Sequence, residues 1–286
     1  MYSASDVKDL RERTGAGMMD CKKALQECEG NIEKAIDWLR EKGISKAAKK
    51  EGRIAAEGIT KMVVNGNKAI VLEVNSETDF VAKNEKFVNF VNELTDTLVK
   101  GNAKTMEDAE KLGVNDMVAA AVAQIGEKIS FRRFEIVKKT DSQVFGIYSH
   151  MGGKITTLVV LEGSTPEVAK DVAMHTAAMR PTYLNKDEVP NDVLEKEKSI
   201  MKEQLLNEGK PEDRIEQILV GKVNKFYEEV CLENQIFIKA ENKETVGKFV
   251  ANNGGKLVKM FRYEVGEGME KRNENFAEEV QSQING

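Results

Sequence analysis

The sequence predicts an α+β protein: an N-terminal three-helix unit, two α+β core subdomains with antiparallel sheets, an inserted antiparallel helical hairpin and a C-terminal helix. Three observations carry this. "ITKMVVNGNKAIVLEV" and "QVFGIYSHMGGKITTLVVLEG" have the short β-rich runs and tight turns of strands. Between and around them, apolar residues recur every three or four positions, the period of a helix face. Residues 188–231 lose the strand signal, leaving two helical stripes either side of "NEGKPED".

At the start of the chain, Ser5 is placed to cap a helix running to Arg13, with Val7 and Leu10 inward. "TGAG", Thr14 to Gly17, breaks it. A second helix follows from Met18 to Cys28, and Asn31 caps a third from Ile32 to Lys42, expected to stop at Gly43. Three helices in residues 1–44 enclose little core and suit a surface-presenting module better than a pocket. Residues 45–58 read as a basic, partly helical linker, with Lys46, Lys49, Lys50 and Arg53 on a solvated face.

The first core subdomain, 59–140, opens with a hairpin turning at Asn65-Gly66. A helix follows with Phe87, Val91, Leu94 and Leu98 on one face, then a helical stretch over 106–126. Phe80 sits ahead of that stripe, at the strand–helix junction, and periodicity gives no reason for it. The order hairpin, strand, helix over 59–99 is echoed over 131–179, a weak internal repeat that suggests two α+β subdomains of related layout. The second core subdomain takes 141–187 and 232–266, with a helix from Thr165-Pro166 to Met179. In the hairpin, 188–231, Leu194, Ile200, Met201 and Leu205 line one arm; Ile215, Leu219, Val223 and Phe226 line the other. Gly209 suits the first helix's end and Pro211 the second helix's first turn. "QIFIK", a helix near 245–252 and the strand "LVKMFRYEVGEG" complete the body. Residues 267–286 form a C-terminal module whose helix, Asn275 to Gln283, is amphipathic through Phe276, Val280 and Ile284.

Chemistry is conspicuous by what is missing. With 286 residues, net charge -5 and pI near 5.5, no global field draws the chain to nucleic acid or anionic lipid. No apolar run approaches a membrane span, and the N-terminus lacks the apolar region of a signal peptide, so a cytoplasmic protein is expected. Cys21, Cys28 and Cys231 form no CxxC pair and read as reduced thiols. His150 and His175 make no HxxxH or HExxH relation, and no GxSxG accompanies them. "MGGKIT" fails as a phosphate loop, with Tyr148 where the first glycine belongs and Ile155 where Ser or Thr would bind magnesium; a hairpin turn is the better account. No bond-making activity, cofactor or metal is expected.

Two segments carry a resemblance. "LRERTGAGMMDCKKAL", Leu10 to Leu25, and "EVNSETDFVAK", Glu73 to Lys83, resemble the two signatures of the translation elongation factor Ts family, the guanine-nucleotide exchange factors of elongation factor Tu. "YSHMGGKI", "HTAAMRPTYL", "GKPEDRIEQILVGKVNKFYEEVCLENQIFIK" and "FRYEVGEGMEKRNENFAEEV" are similar to further segments of that family. The complete hairpin makes the chain look like the longer bacterial form.

The resemblance implies a UBA-like N-terminal domain and a coiled-coil hairpin. In Thr78-Asp79-Phe80-Val81 it implies an Asp79–Phe80 wedge that packs between helices near the partner's magnesium site and shifts them. His150 matches a histidine that acts with that phenylalanine. Arg11, Met18 and Met19 match residues that dock on the partner's nucleotide domain, although core packing of one methionine is equally open. Phe276 and Val280 are candidates in the C-terminal module. The implied partner is elongation factor Tu, without direct nucleotide, nucleic-acid or membrane binding. The hairpin would meet that partner or a second copy, in a one-to-one or two-to-two complex. Two rivals are a UBA-type adaptor and an RNA-binding translation accessory factor acting through Lys46–Lys50. The acidic pI and missing RNA motifs weigh against the second.

Overall fold

Ser3, two residues ahead of the expected cap, opens the first helix. Its hydroxyl accepts the Asp6 amide at 3.2 Å while the Asp6 carboxylate accepts the Ser3 amide at 2.7 Å, which starts α1 (Ala4–Thr14). Ser5 therefore lies inside the helix. α2 (Met18–Glu27) and α3 (Ile32–Lys50), the latter capped by Asn31, close a small core of Leu10, Cys21, Ala24, Leu25 and Ala35. The computed structural model describes residues 2–270, so the expected C-terminal helix with Phe276 and Val280 lies outside the described residues. The chain forms two compact units, one of residues up to Val137 with the chain again from Glu264, the other Lys138–Tyr263.

In the first unit, α3 does not stop at Gly43. It continues to Lys50, so the segment read as a linker begins as helix. The reason is tertiary: Gly43 is buried against α7 (Val114–Ile125), and a methyl there would already stand 3.4 Å from the Ala119 carbonyl and 3.5 Å from Ala123 Cβ. Close packing of the two helices outweighs the ~1 kcal/mol that glycine costs inside a helix. An Arg40–Asp116 ion pair, Gln124 Nε2 donating to the Thr14 carbonyl at 2.8 Å, and Lys50 Nζ donating to the Gly126 carbonyl at 2.6 Å add polar ties.

β1 (Glu57–Asn65) and β2 (Lys68–Ser76) form the expected antiparallel hairpin, with Asn65 opposite Lys68. β3 (Ile129–Lys138) lies on the other side of β2, giving the order β1-β2-β3. This takes "ISFRRFEIV" out of the repeat read over 131–179. β2 is central and buried along almost its whole length, which is why it reads as a continuous apolar run. A single turn, α4 (Asp79–Ala82), leads to α5 (Glu85–Lys100), whose Phe87, Phe90, Val91, Leu94 and Leu98 cluster with Ile70, Leu72 and Val74. The helical stretch over 106–126 is two helices, α6 (Met106–Lys111) and α7, parted at Gly113, where φ is +80°.

The second unit carries β4 (Gln143–His150), β5 (Ile155–Glu162) and β6 (Lys256–Glu264) in that order. The Met151–Gly153 segment joins β4 to β5 as a tight turn with φ of 50°, 66° and 96°, matching the hairpin reading of "MGGKIT". α8 (Pro166–Met179), capped by Thr165, packs on both strands. Gly146 permits that contact, because a Cβ there would lie 2.0 Å from the backbone carbon and oxygen of Ala169. Gly146→Ala is expected to destabilise the second unit by about 3 kcal/mol, the upper end of overpacking costs, read as a lower urea midpoint.

The hairpin is α9 (Asn191–Asn207) and α10 (Glu212–Val230). Leu205, Ile215 and Leu219 are buried along its seam, while Ile200, expected there, is exposed. At about 100° per residue, Ile200 lies roughly 240° round from Leu194, whereas Met201 and Leu205 return to Leu194's face. At the base, the Thr182 and Tyr183 amides donate to the Val230 carbonyl at 2.9 and 3.0 Å, and the Leu232 amide donates to the Tyr183 carbonyl at 2.9 Å. α11 (Val246–Asn252) precedes β6.

His175 is sealed beside that base. The Ile238 amide donates to its Nδ1 at 3.2 Å, so Nε2 carries the proton and donates to Gln235 Oε1 at 3.0 Å. Burial holds its pKa below the usual histidine value, with the Gln235 bond working the other way. The folded imidazole thus stays neutral while the unfolded one takes up a proton as pH falls through about 6.5. Stability present above that value is lost below it, by up to about 1.4 kcal/mol per pH unit until the folded pKa is reached. Urea midpoints between pH 7.5 and 5.5 should fall in the wild type, and His175→Gln should remove this part of the slope.

Candidate functional site

The turn at the end of β2 has to be held from outside. α4 is four residues long, and one helical turn fixes many dihedrals for very few hydrogen bonds. Thr78 supplies the local part: its Oγ accepts the Val81 amide at 3.3 Å. The rest is tertiary. Glu127, at the start of the segment leading into β3, accepts the Thr78 amide at 3.0 Å and the Thr78 hydroxyl at 2.7 Å. Glu77 returns the arrangement by accepting the Lys128 amide at 2.6 Å and pairing with Arg53 at 3.2 Å. Two chain segments therefore each lend a carboxylate to the other's backbone.

This clamp decides which way each side chain of the turn faces. Ala82 is buried and Val81 packs against the first unit's core, while Phe80 points out with 81% of its surface exposed. Among the described large apolar side chains, none is more exposed. Asp79 starts the turn, where the helix dipole favours an anion, and pairs with Lys83 at 2.7 Å. Such an exposed i,i+4 pair contributes only a few tenths of a kcal/mol.

The first unit also carries Arg11, exposed on α1, and Met18 and Met19 at the start of α2. The sequence left one methionine open to the core, but both are exposed, at 59% and 73%; Cys21, Ala24 and Leu25 already fill α2's inward face. His150 belongs to the second unit. It ends β4, exposed, with Nδ1 3.2 Å from the Tyr148 hydroxyl and the two rings stacked at 6.0 Å. Next to it, Met151 is 72% exposed at φ +50°, an apolar contact candidate that the sequence reading passed over as turn.

Glu73 and Glu127 were also missed. Glu73 is fully buried in β2, accepting from Arg132 at 3.0 Å, Arg133 at 2.7 Å, Asn75 Nδ2 at 3.1 Å and the Gly266 amide at 2.8 Å. Burial opposes its charge, yet the Gly266 amide, Asn75 and the two arginines together hold its pKa below the usual carboxylate value. The charge of Glu73 gives no local sign of partners so far along the chain.

Among the described residues, no group of three or more His, Cys, Asp or Glu side chains could hold a metal, and no helix is long and apolar enough to cross a membrane. Cys21 and Cys231 are buried, and burial pushes the Cys231 thiol up to about 11. A cleft of about 330 Å³ between the N-terminal helices and α7 is lined by residues such as Thr14, Trp38, Leu39, Asp116 and Gln124, without histidine or cysteine. What the turn presents is an apolar side chain held out on a clamped stretch of backbone.

A comparison with protein-family models matches the family described as elongation factor Ts over residues 77–267, roughly two thirds of the chain. The matched range includes the Phe80 turn, His150 and the whole helical hairpin. The chain belongs to the elongation factor Ts family, the nucleotide exchange factors of elongation factor Tu.

Proposed function

We propose that this protein drives GDP from elongation factor Tu by seating Phe80, with Asp79 beside it, between helices next to the partner's magnesium ion. Magnesium demands near-ideal octahedral geometry, so a small helix displacement there weakens the hold on the nucleotide's phosphates. The exchange factor need not touch GDP. It has only to bind the nucleotide-free partner better than the loaded one, and the same free energy then weakens GDP. The observation that carries this reading is the 81% exposure of Phe80 on a clamped turn. Burying one exposed phenylalanine stabilises a complex by roughly 1.5–3 kcal/mol, about tenfold to a hundredfold in an equilibrium.

The remaining contacts follow from their chemistry. His150, braced by Tyr148, acts with Phe80 on the partner's helices. Met18 and Met19 offer flexible, polarisable contact area with Arg11 nearby in sequence, suited to docking on the nucleotide domain. The helices before residue 45 act as a UBA-like docking module, and the hairpin meets the partner or a second copy. Release of labelled GDP from purified elongation factor Tu tests the core of this. Substoichiometric amounts should accelerate release, and no acceleration at saturating protein would sink the exchange reading.

A further inference from the structure

We infer that Glu127 is a positioning residue for nucleotide exchange: it holds the Thr78 hinge so that Phe80 is aimed before the partner arrives. This rests on the reading of Phe80 as the wedge. Every polar group of Thr78 is committed. Its amide and hydroxyl go to the two oxygens of Glu127, its carbonyl accepts Ser76 Oγ at 3.0 Å and the Ala82 amide at 3.2 Å, and its Oγ also accepts the Val81 amide. Only the Glu127 bonds reach outside the turn's own stretch of chain, across 49 residues.

Glu127 is itself fixed. Gly126 turns the chain at φ +88° as the cap of α7, with its carbonyl bound by Lys50, and the next amide, Lys128, donates to Glu77. The carboxylate thus stands on a braced corner. A four-residue helix without this brace would sample many orientations of its second residue. Ordering it on contact would then consume part of the energy that Phe80 burial makes available. Because that burial belongs to the nucleotide-free complex, losing the brace should weaken this complex and leave affinity for the GDP-loaded partner nearly unchanged.

The experiment measures labelled GDP release from elongation factor Tu, and affinity for its GDP-bound and nucleotide-free forms, with full-length variants. Glu127→Ala should slow maximal release by about threefold to tenfold, less than truncating Phe80 does, because ordering the freed turn consumes only part of the burial energy. Glu127→Gln can accept the Thr78 amide and donate to its hydroxyl, so it should restore release to within about twofold of wild type. In a Phe80→Ala background, Glu127→Ala should cost little more, because the group it aims is gone. If Glu127→Ala disturbs folding, Thr78→Val, which removes the hydroxyl's link to Glu127 together with its cap on the Val81 amide and keeps the Thr78 amide bond, must show the same dependence on Phe80. A wild-type rate for Glu127→Ala beside a slow Phe80→Ala overturns the positioning role alone. An equal loss in both backgrounds overturns it too, by showing that Glu127 acts elsewhere. A wild-type rate for Phe80→Ala overturns the wedge and this inference with it.

Discussion

Phe80→Ala is expected to slow stimulated GDP release by between about tenfold and a hundredfold while leaving the urea unfolding midpoint where it is. The two halves of that expectation come from one fact. With 81% of its surface in water, Phe80 contributes almost nothing to the fold, and its burial energy is open to a partner. Truncation should act on the nucleotide-free complex, since contacts made equally in both nucleotide states cancel from exchange. Phe80→Leu should retain part of the rate, because it keeps apolar volume without the ring. Equal rates for Phe80→Ala and wild type would remove Phe80 from the mechanism, whereas a lowered unfolding midpoint would return it to the core.

Glu73→Gln is expected to destabilise the first unit by about 3 kcal/mol at neutral pH. The substitution leaves Arg132 and Arg133 beside an uncharged partner, and either orientation of the new amide turns its NH2 toward groups that already donate, Asn75 and the Gly266 amide or the two arginines. Removing one partner of a buried charge cluster costs about 3–5 kcal/mol, and the lower end applies because both arginines keep some contact with water. The folded pKa of Glu73 lies below its unfolded value, so its contribution is complete above about 4.3. It is lost as pH falls through the folded pKa, where the wild-type side chain protonates as well. Urea titrations of both proteins should therefore differ most near pH 7 and converge in acid. A constant difference across that range would show that packing, and not charge, accounts for the loss.

Much of the architecture was legible because its causes are local. The stripe Phe87, Val91, Leu94, Leu98 is buried as spaced, Asn31 and Thr165 cap the helices expected of them, and Asn65-Gly66 turns the hairpin. The first helix opens at Ser3 and not Ser5 because Asp6, three residues after Ser3, closes a reciprocal box with it. Ile200 falls off the seam because helical phase along the whole arm, and not spacing to its immediate neighbours, sets which face it takes.

The candidate site divided along the same line. That Phe80 stood off the helical stripe could be read from periodicity, and the Thr-Asp-Phe-Val signature attached a role to it. Its exposure could not be read, nor could that of Met18 and Met19, because exposure depends on which surfaces other segments have already covered. The sequence by itself determined the element types, their order and the family, since hydrogen-bond periodicity, caps and turns act within a few residues. Only the tertiary structure decided that α3 runs through Gly43, that β3 joins the first sheet, and that Glu73 and Glu127 are structural anions. Those outcomes turn on partners 49 to 193 residues away, and a carboxylate's charge carries no record of which distant amide or guanidinium will meet it.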